Sequence, residues 1–181
     1  MKNVLIISAL TLALSACASP SESEKADAPS ADKAAGAVMA AKSGSNVAGT
    51  LNLMTMGKGV HVMGTLTGLA PSSEFGFHVH EKGDCSADDA SSAGGHFNPT
   101  AQAHGSAESS THHSGDMDNI KSDASGTARV SFHIENVGLA DASATDINGL
   151  ALVVHAKADD YKTQPSGNSG ARIACGVITL K

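Results

Sequence analysis

The stretch FGFHVHEKGDC, Phe75 to Cys85, constrains this chain more than any other. In an extended strand side chains alternate faces, so Phe77 and Val79 point one way and His78 and His80 the other. One face is apolar and belongs against a core. The other presents two imidazoles side by side. An isolated His-x-His is more often an exposed polar pair than a metal site, but this pair is not isolated. His96 in GGHFNP, His104 in AHG, and His113 with Asp116 in HHSGDMDN follow within about forty residues. His155 closes the apolar run LALVVH.

The pattern around these residues is all-β. Short alternating runs predict strands over Asn46–Met54, Gly59–Thr67, Phe75–His80, Thr127–Ile134, Gly149–His155 and Ala171–Leu180. Turn residues separate them at Met56–Gly59, Ala70–Ser72 and Asp123–Gly126. Two long loops, Glu81–Asn119 and Ala156–Gly170, interrupt the pattern and hold most of the unusual chemistry. Loops of that length inside a compact domain are usually functional or disordered, and their content favours function. With one Tyr, no Trp and four Phe, the core rests on Val, Leu, Ile, Met and Ala. No helix, repeat, phosphate-binding loop or basic stripe is visible. A formal net charge of -6 disfavours nucleic acid as a partner.

The chain opens with Lys2, an apolar run from Val4 to Leu14 and small residues, which reads as a secretory signal over residues 1–16. That run is too short to span a bilayer. Leu14-Ser15-Ala16-Cys17 resembles a bacterial lipobox, which makes Cys17 a lipid-bearing N-terminus. The alternative is an ordinary cleaved signal with a chance cysteine. Cysteine arithmetic favours lipid, because three cysteines leave one odd. Ala18, where an aspartate would retain a lipoprotein at the inner membrane, points to the periplasmic face of a Gram-negative outer membrane. Residues 17–45 are Ala, Ser, Glu, Asp, Lys and Pro with few large apolar side chains, and are expected to be a flexible linker. Residues 46–181 are expected to form one domain.

The spacing His96-x7-His104-x8-His113-x2-Asp116 offers three imidazoles and a carboxylate from one loop, a closed tetrahedral set suited to zinc. His78, His80 and His155 come from two strands and, with His96, make four imidazoles, a set suited to copper(II). His96 serves both sets, because its two ring nitrogens are separate ligands.

GFHVHEKGDC, GGHFNP, HHSGDMDN, LVVHAKADD and GNSGARIACGVI, in this order, resemble the copper–zinc superoxide dismutases. The resemblance spans Asn46 to Lys181. It implies an eight-stranded Greek-key β-barrel, and these enzymes are themselves a standard example of the flattened, sandwich-like architecture. It implies one copper and one zinc per subunit, with His78, His80, His96 and His155 on copper and His96, His104, His113 and Asp116 on zinc. By the same match Cys85 and Cys175 form a disulfide, and an oxidising compartment favours that over a thiolate site. Arg172 matches the arginine that guides the anion, and Asp159 the carboxylate that hydrogen-bonds one ligand of each metal. The implied reaction converts superoxide to oxygen and hydrogen peroxide, with His96 carrying a proton. The spacer from Cys85 to His96 is longer than in animal relatives and the loop from His155 to Arg172 shorter, both resembling the periplasmic bacterial branch. Monomer and homodimer both stay open.

The rivals are a non-catalytic copper-handling domain and a structural lipoprotein. The first predicts loss of a ligand or of the arginine, and none is lost. The second leaves the matched ligands without a purpose. The His-x-x-Asp spacing selects His113 over His112, while His61 and His133 lie in predicted strands without a partner motif. Met54, Met56 and Met63 suggest copper(I) chemistry but alternate with small and β-branched residues, so packing is the expectation.

Overall fold

The structure is a computed structural model that describes residues 32–181. The signal segment, Cys17 and the linker up to residue 31 lie outside the described residues. Ten strand segments follow one another: β1 (Ala34–Ala41), β2 (Ala48–Met56), β3 (Gly59–Thr67), β4 (Glu74–Phe75), β5 (Phe77–His80), β6 (Ile120–Lys121), β7 (Ala128–Glu135), β8 (Ala151–His155), β9 (Arg172–Val177) and β10 (Thr179–Leu180). A single 3₁₀ turn, Ser91–Ala93, is the only helical element among the described residues.

Antiparallel pairing runs β5-β8-β9-β1-β2-β3-β7, with β10 on β1 and β4 on β6. β4 continues into β5 through Gly76, and Ser122 bridges from the end of β6 to Ala128 of β7. Those two links close the sheet on itself. β4 with β5, and β9 with β10, are each one strand interrupted by one residue, so the ten segments make an eight-stranded barrel. The 68–73 and 136–150 connections step over neighbouring strands, which makes the topology a Greek key. In the second of these, the Asp146 carboxylate accepts backbone N–H groups from Ala140, Ala142 and Asn148.

The expected strands are all present, with ends shifted by a few residues. The linker expectation does not hold over its last part. Residues 34–41 form β1, paired with β2 on one side and with β9 and β10 on the other. Ala35, Ala37 and Met39 are buried at every second position. These small side chains carry little hydropathy individually, so composition alone does not distinguish the strand from a linker. Backbone pairing on both sides is what holds such a strand in place.

The core is filled by inward residues of every wall, among them Leu51, Leu53, Val60, Val62, Leu66, Phe77, Val79, Ile120, Leu152, Val154 and Ile178, all essentially sealed from water. Each such side chain contributes about 1.5–3 kcal/mol by burial. β5 and β8 differ from the other walls in being buried on both faces. Their inner faces meet the core, and their outer faces are covered by the long loops. Cys85 and Cys175 are bonded, with Cα atoms 5.7 Å apart, in a small apolar cluster with Ala90, Ala93, Ala151 and Val153. The cross-link ties the 81–119 loop to β9.

Met54 and Met56 are not packed, contrary to expectation. The alternation that sends Leu51 and Leu53 inward sends Met54 and Met56 outward, and they are 44% and 47% exposed.

Candidate metal centre

β5 places His78 and His80 on its outer face, and β8 delivers His155 at its C-terminal end, where the register with β9 shifts. His96 comes in on the long loop and bridges to His80 backbone to backbone. Two sets of buried ligands result: His78, His80, His96 and His155, and His96, His104, His113 and Asp116. In each set one ligand atom per residue lies within 4.8 Å of the others. His112 belongs to neither; its Nδ1 faces the His113 carbonyl at 2.7 Å.

Hydrogen bonds decide which ring nitrogen is free. His80 Nδ1 donates to the Gly94 carbonyl at 3.0 Å and His155 Nδ1 to the Gly170 carbonyl at 3.3 Å. Both Nε2 atoms therefore carry lone pairs, and they face each other at 3.3 Å. Two acceptors at that distance repel unless a cation lies between them. His78 gives Nε2–H to Asp159 at 2.8 Å and His104 gives Nε2–H to the other oxygen of the same carboxylate at 2.9 Å. His78 Nδ1, His104 Nδ1 and His96 Nε2 are left buried without a hydrogen-bond partner. His104 Nδ1 does lie 3.0 Å from an Asp116 oxygen, at an angle that makes no hydrogen bond, so the contact is one of charge. Buried ring nitrogens that converge without hydrogen-bond partners are what a metal site requires, and these residues fit copper on one side and zinc on the other.

Protonation separates the two sides. Burial, reinforced by neighbouring imidazoles, lowers His155 to about 3 and His80 well below its ordinary value. Burial likewise takes His96 to about 4 against the pull of Asp116, and lowers His78 despite Asp159. For His104, burial is outweighed by the two carboxylates beside its ring, Asp116 at Nδ1 and Asp159 at Nε2, which push it up to about 9. Burial would raise Asp116 and Asp159, but their histidine partners hold both far below the usual carboxylate range.

Arg172 opens β9, half-buried. Its guanidinium donates to the Ala90 carbonyl at 2.7 Å and the Gly94 carbonyl at 2.6 Å. The Gly94 oxygen thus holds both the arginine and His80. Both acceptors lie on the segment that the disulfide anchors. Arg172, His80, His96, His155 and Ser166 line an open cavity of about 520 Å³ above the histidines.

Sequence reasoning missed the supports of this site. The Asn119 carboxamide accepts from the Asp159 N–H and donates to the Asp159 carbonyl, while the Tyr161 hydroxyl accepts the Asn119 N–H. Gln164 makes the same double bond to the His104 backbone. At Gly167, with φ +63°, any Cβ would collide with the Asp159 carboxylate. A lone Tyr beside the KADD motif was the available signal.

Three imidazoles from a barrel wall converging with a fourth from a loop, that fourth shared with a three-nitrogen, one-carboxylate set, define a paired copper–zinc redox protein. The sequence model described as "Copper/zinc superoxide dismutase (SODC)" matches residues 47–178. The chain belongs to that family, and it is an oxidoreductase that dismutes superoxide. It is 42% identical over 135 residues to "Superoxide dismutase [Cu-Zn] 2" of Aquifex aeolicus (strain VF5), covering 73% of this chain and 79% of that one. It is 41% identical over 125 residues to "Superoxide dismutase-like protein YojM" of Bacillus subtilis (strain 168), covering 67% and 63%. Among solved structures, the SOD-like protein from Bacillus subtilis superposes with a TM-score of 0.71 at 36% identity, covering 78% of this chain and 95% of that one. The clock protein EA4 superposes at 0.74 and 37% identity, covering 82% and 95%.

Proposed function

We propose that this chain removes superoxide in the cell envelope, anchored by lipid on Cys17 to the periplasmic face of the outer membrane. His78 Nδ1 and the Nε2 atoms of His80, His96 and His155 would hold the copper. The Nδ1 atoms of His96, His104 and His113 would hold the zinc with Asp116. The observation that carries this division is the pair of facing acceptor nitrogens on His80 and His155, a contact that only a cation relieves.

Bound copper supplies the one-electron couple on which both halves of the reaction turn. Two superoxide anions and two protons leave as one dioxygen and one hydrogen peroxide. Arg172 supplies the positive charge that draws a small anion into the cavity, and its fork is held by two carbonyls with further N–H donors to spare. This enzyme class is itself a standard example of electrostatic steering. When it is not a ligand, His96 Nε2 is the atom at which the chain would hold a proton for the peroxide, while Nδ1 stays on the Asp116 side. Asp159 keeps His78 and His104 in the tautomers that leave Nδ1 free.

The test combines a metal count and a superoxide-consumption assay on the mature protein with fractionation of expressing cells. One copper and one zinc per chain, dismutation, and recovery with outer membranes that Cys17→Ala abolishes are expected. Soluble wild-type protein with an unmodified N-terminus downstream of Cys17 would remove the anchor from this reading.

A further inference from the structure

The outer face of β2, β3 and β7 carries a group of side chains that the metal centre does not use. Cross-strand register sets Met54 of β2 opposite His61 of β3, and His61 opposite His133 of β7. Residues directly opposite on one face have Cβ atoms about 4.5–5.5 Å apart, so a thioether and two imidazoles lie in one row. Met56 and Met63 stand two residues along β2 and β3 on the same outward face. The His61 and His133 rings are stacked with centroids 6.4 Å apart. His61 Nδ1 is buried and has no hydrogen-bond partner. Glu135 brings a carboxylate oxygen to 3.7 Å from His133 Nε2, a negative charge beside the row.

We propose that this face is an auxiliary site for a soft monovalent cation, copper(I), held by Met54, His61 and His133 with Met56 or Met63 as a further thioether. Thioether sulfur paired with imidazole nitrogen selects copper(I) over zinc or magnesium. Unlike the paired centre, which takes its ligands from β5, β8 and the long loop, this site rests on the register of β2, β3 and β7 and shares no residue with it. It therefore stands independently of the reading of the dismutase site.

The experiment uses fully loaded enzyme in a Cys17→Ser background, which removes the one thiol outside the disulfide. The protein is reduced with ascorbate without oxygen and titrated with copper(I) against bicinchoninate. One further equivalent is expected to be retained, with a sulfur scatterer in the copper-edge X-ray absorption spectrum. Met54→Leu should about halve the sulfur signal, and His133→Gln should weaken retention about tenfold or more, both with dismutation unchanged. No further equivalent, an equivalent without sulfur, or undiminished retention in the Met54→Leu/His133→Gln double variant would each overturn the site.

Discussion

The two ligand sets that share His96 are built by different means. The copper set is bedded in the barrel: three of its four histidines stand on paired strands, and their donors are fixed by backbone carbonyls and Asp159. The zinc set comes from one loop and is gathered by its own carboxylate, with Asp116 within 3.2 Å of His96, His104 and His113. Before any metal binds, the first set is neutral and repelling, the second charged and self-paired. A strand wall holds ligands apart at a stated geometry whatever occupies it. A loop needs an internal counter-charge to keep the same geometry.

The largest effect expected from that contrast is at His155, which belongs to the copper set alone. His155→Ala should abolish dismutation while zinc stays bound, and Asp116→Ala should lose zinc first. Metal counts on both purified variants decide it; equal loss of zinc in His155→Ala would mean that the sets are not separable.

The disulfide supports both sides by closing 90 residues of chain. Cys85→Ser should lower stability by about 4–5 kcal/mol, read as a large fall in melting temperature under non-reducing conditions. The Ala90 and Gly94 carbonyls that hold Arg172 should loosen with it. An unchanged melting temperature would show that the cross-link contributes nothing.

Arg172→Glu tests the copper side without touching a ligand. Charges about 6 Å apart at an effective dielectric of about 20 interact by roughly 3 kcal/mol, and reversal roughly doubles the difference before screening. A loss of about one to three orders of magnitude in rate is expected with both metals retained. Wild-type activity should fall with ionic strength and the variant's should fall less. Full activity with the same salt dependence would remove Arg172 from the role of anion guide.

The smallest effect concerns protons. His104, pushed up to about 9, carries two protons at pH 7.5 in the metal-free chain and must lose the one on Nδ1 to take zinc. Zinc binding should release about one proton from it, and affinity should rise with pH up to about 9. His155 and His96, lowered to about 3 and about 4, are already deprotonated and add no such release. Calorimetry in buffers of different ionisation enthalpy measures the number. Zinc binding without proton release would contradict the charged state of His104.

Period-two alternation and the spacing of His, Asp and Cys motifs carried the barrel walls and both ligand sets, because each signal is local: a strand's two faces and a loop's ligands can be read from neighbouring residues. β1 was misread, since Ala35, Ala37 and Met39 acquire meaning only when β2 and β9 supply backbone partners. The outward turn of Met54 and Met56 needed the side on which Leu51 and Leu53 meet the core. The sequence by itself determined which side chains make up the two ligand sets that fit metal, because that chemistry resides in residue type. Only the tertiary structure decided which nitrogen of each histidine is free, because the Gly94 and Gly170 carbonyls that select the tautomer are turned onto the rings by folded loops and the Asp159 carboxylate arrives from a distant part of the chain. The clamps of Asn119 on Asp159 and of Gln164 on His104 are of the same kind: a side-chain amide meets backbone groups forty and sixty residues away only once the barrel has closed.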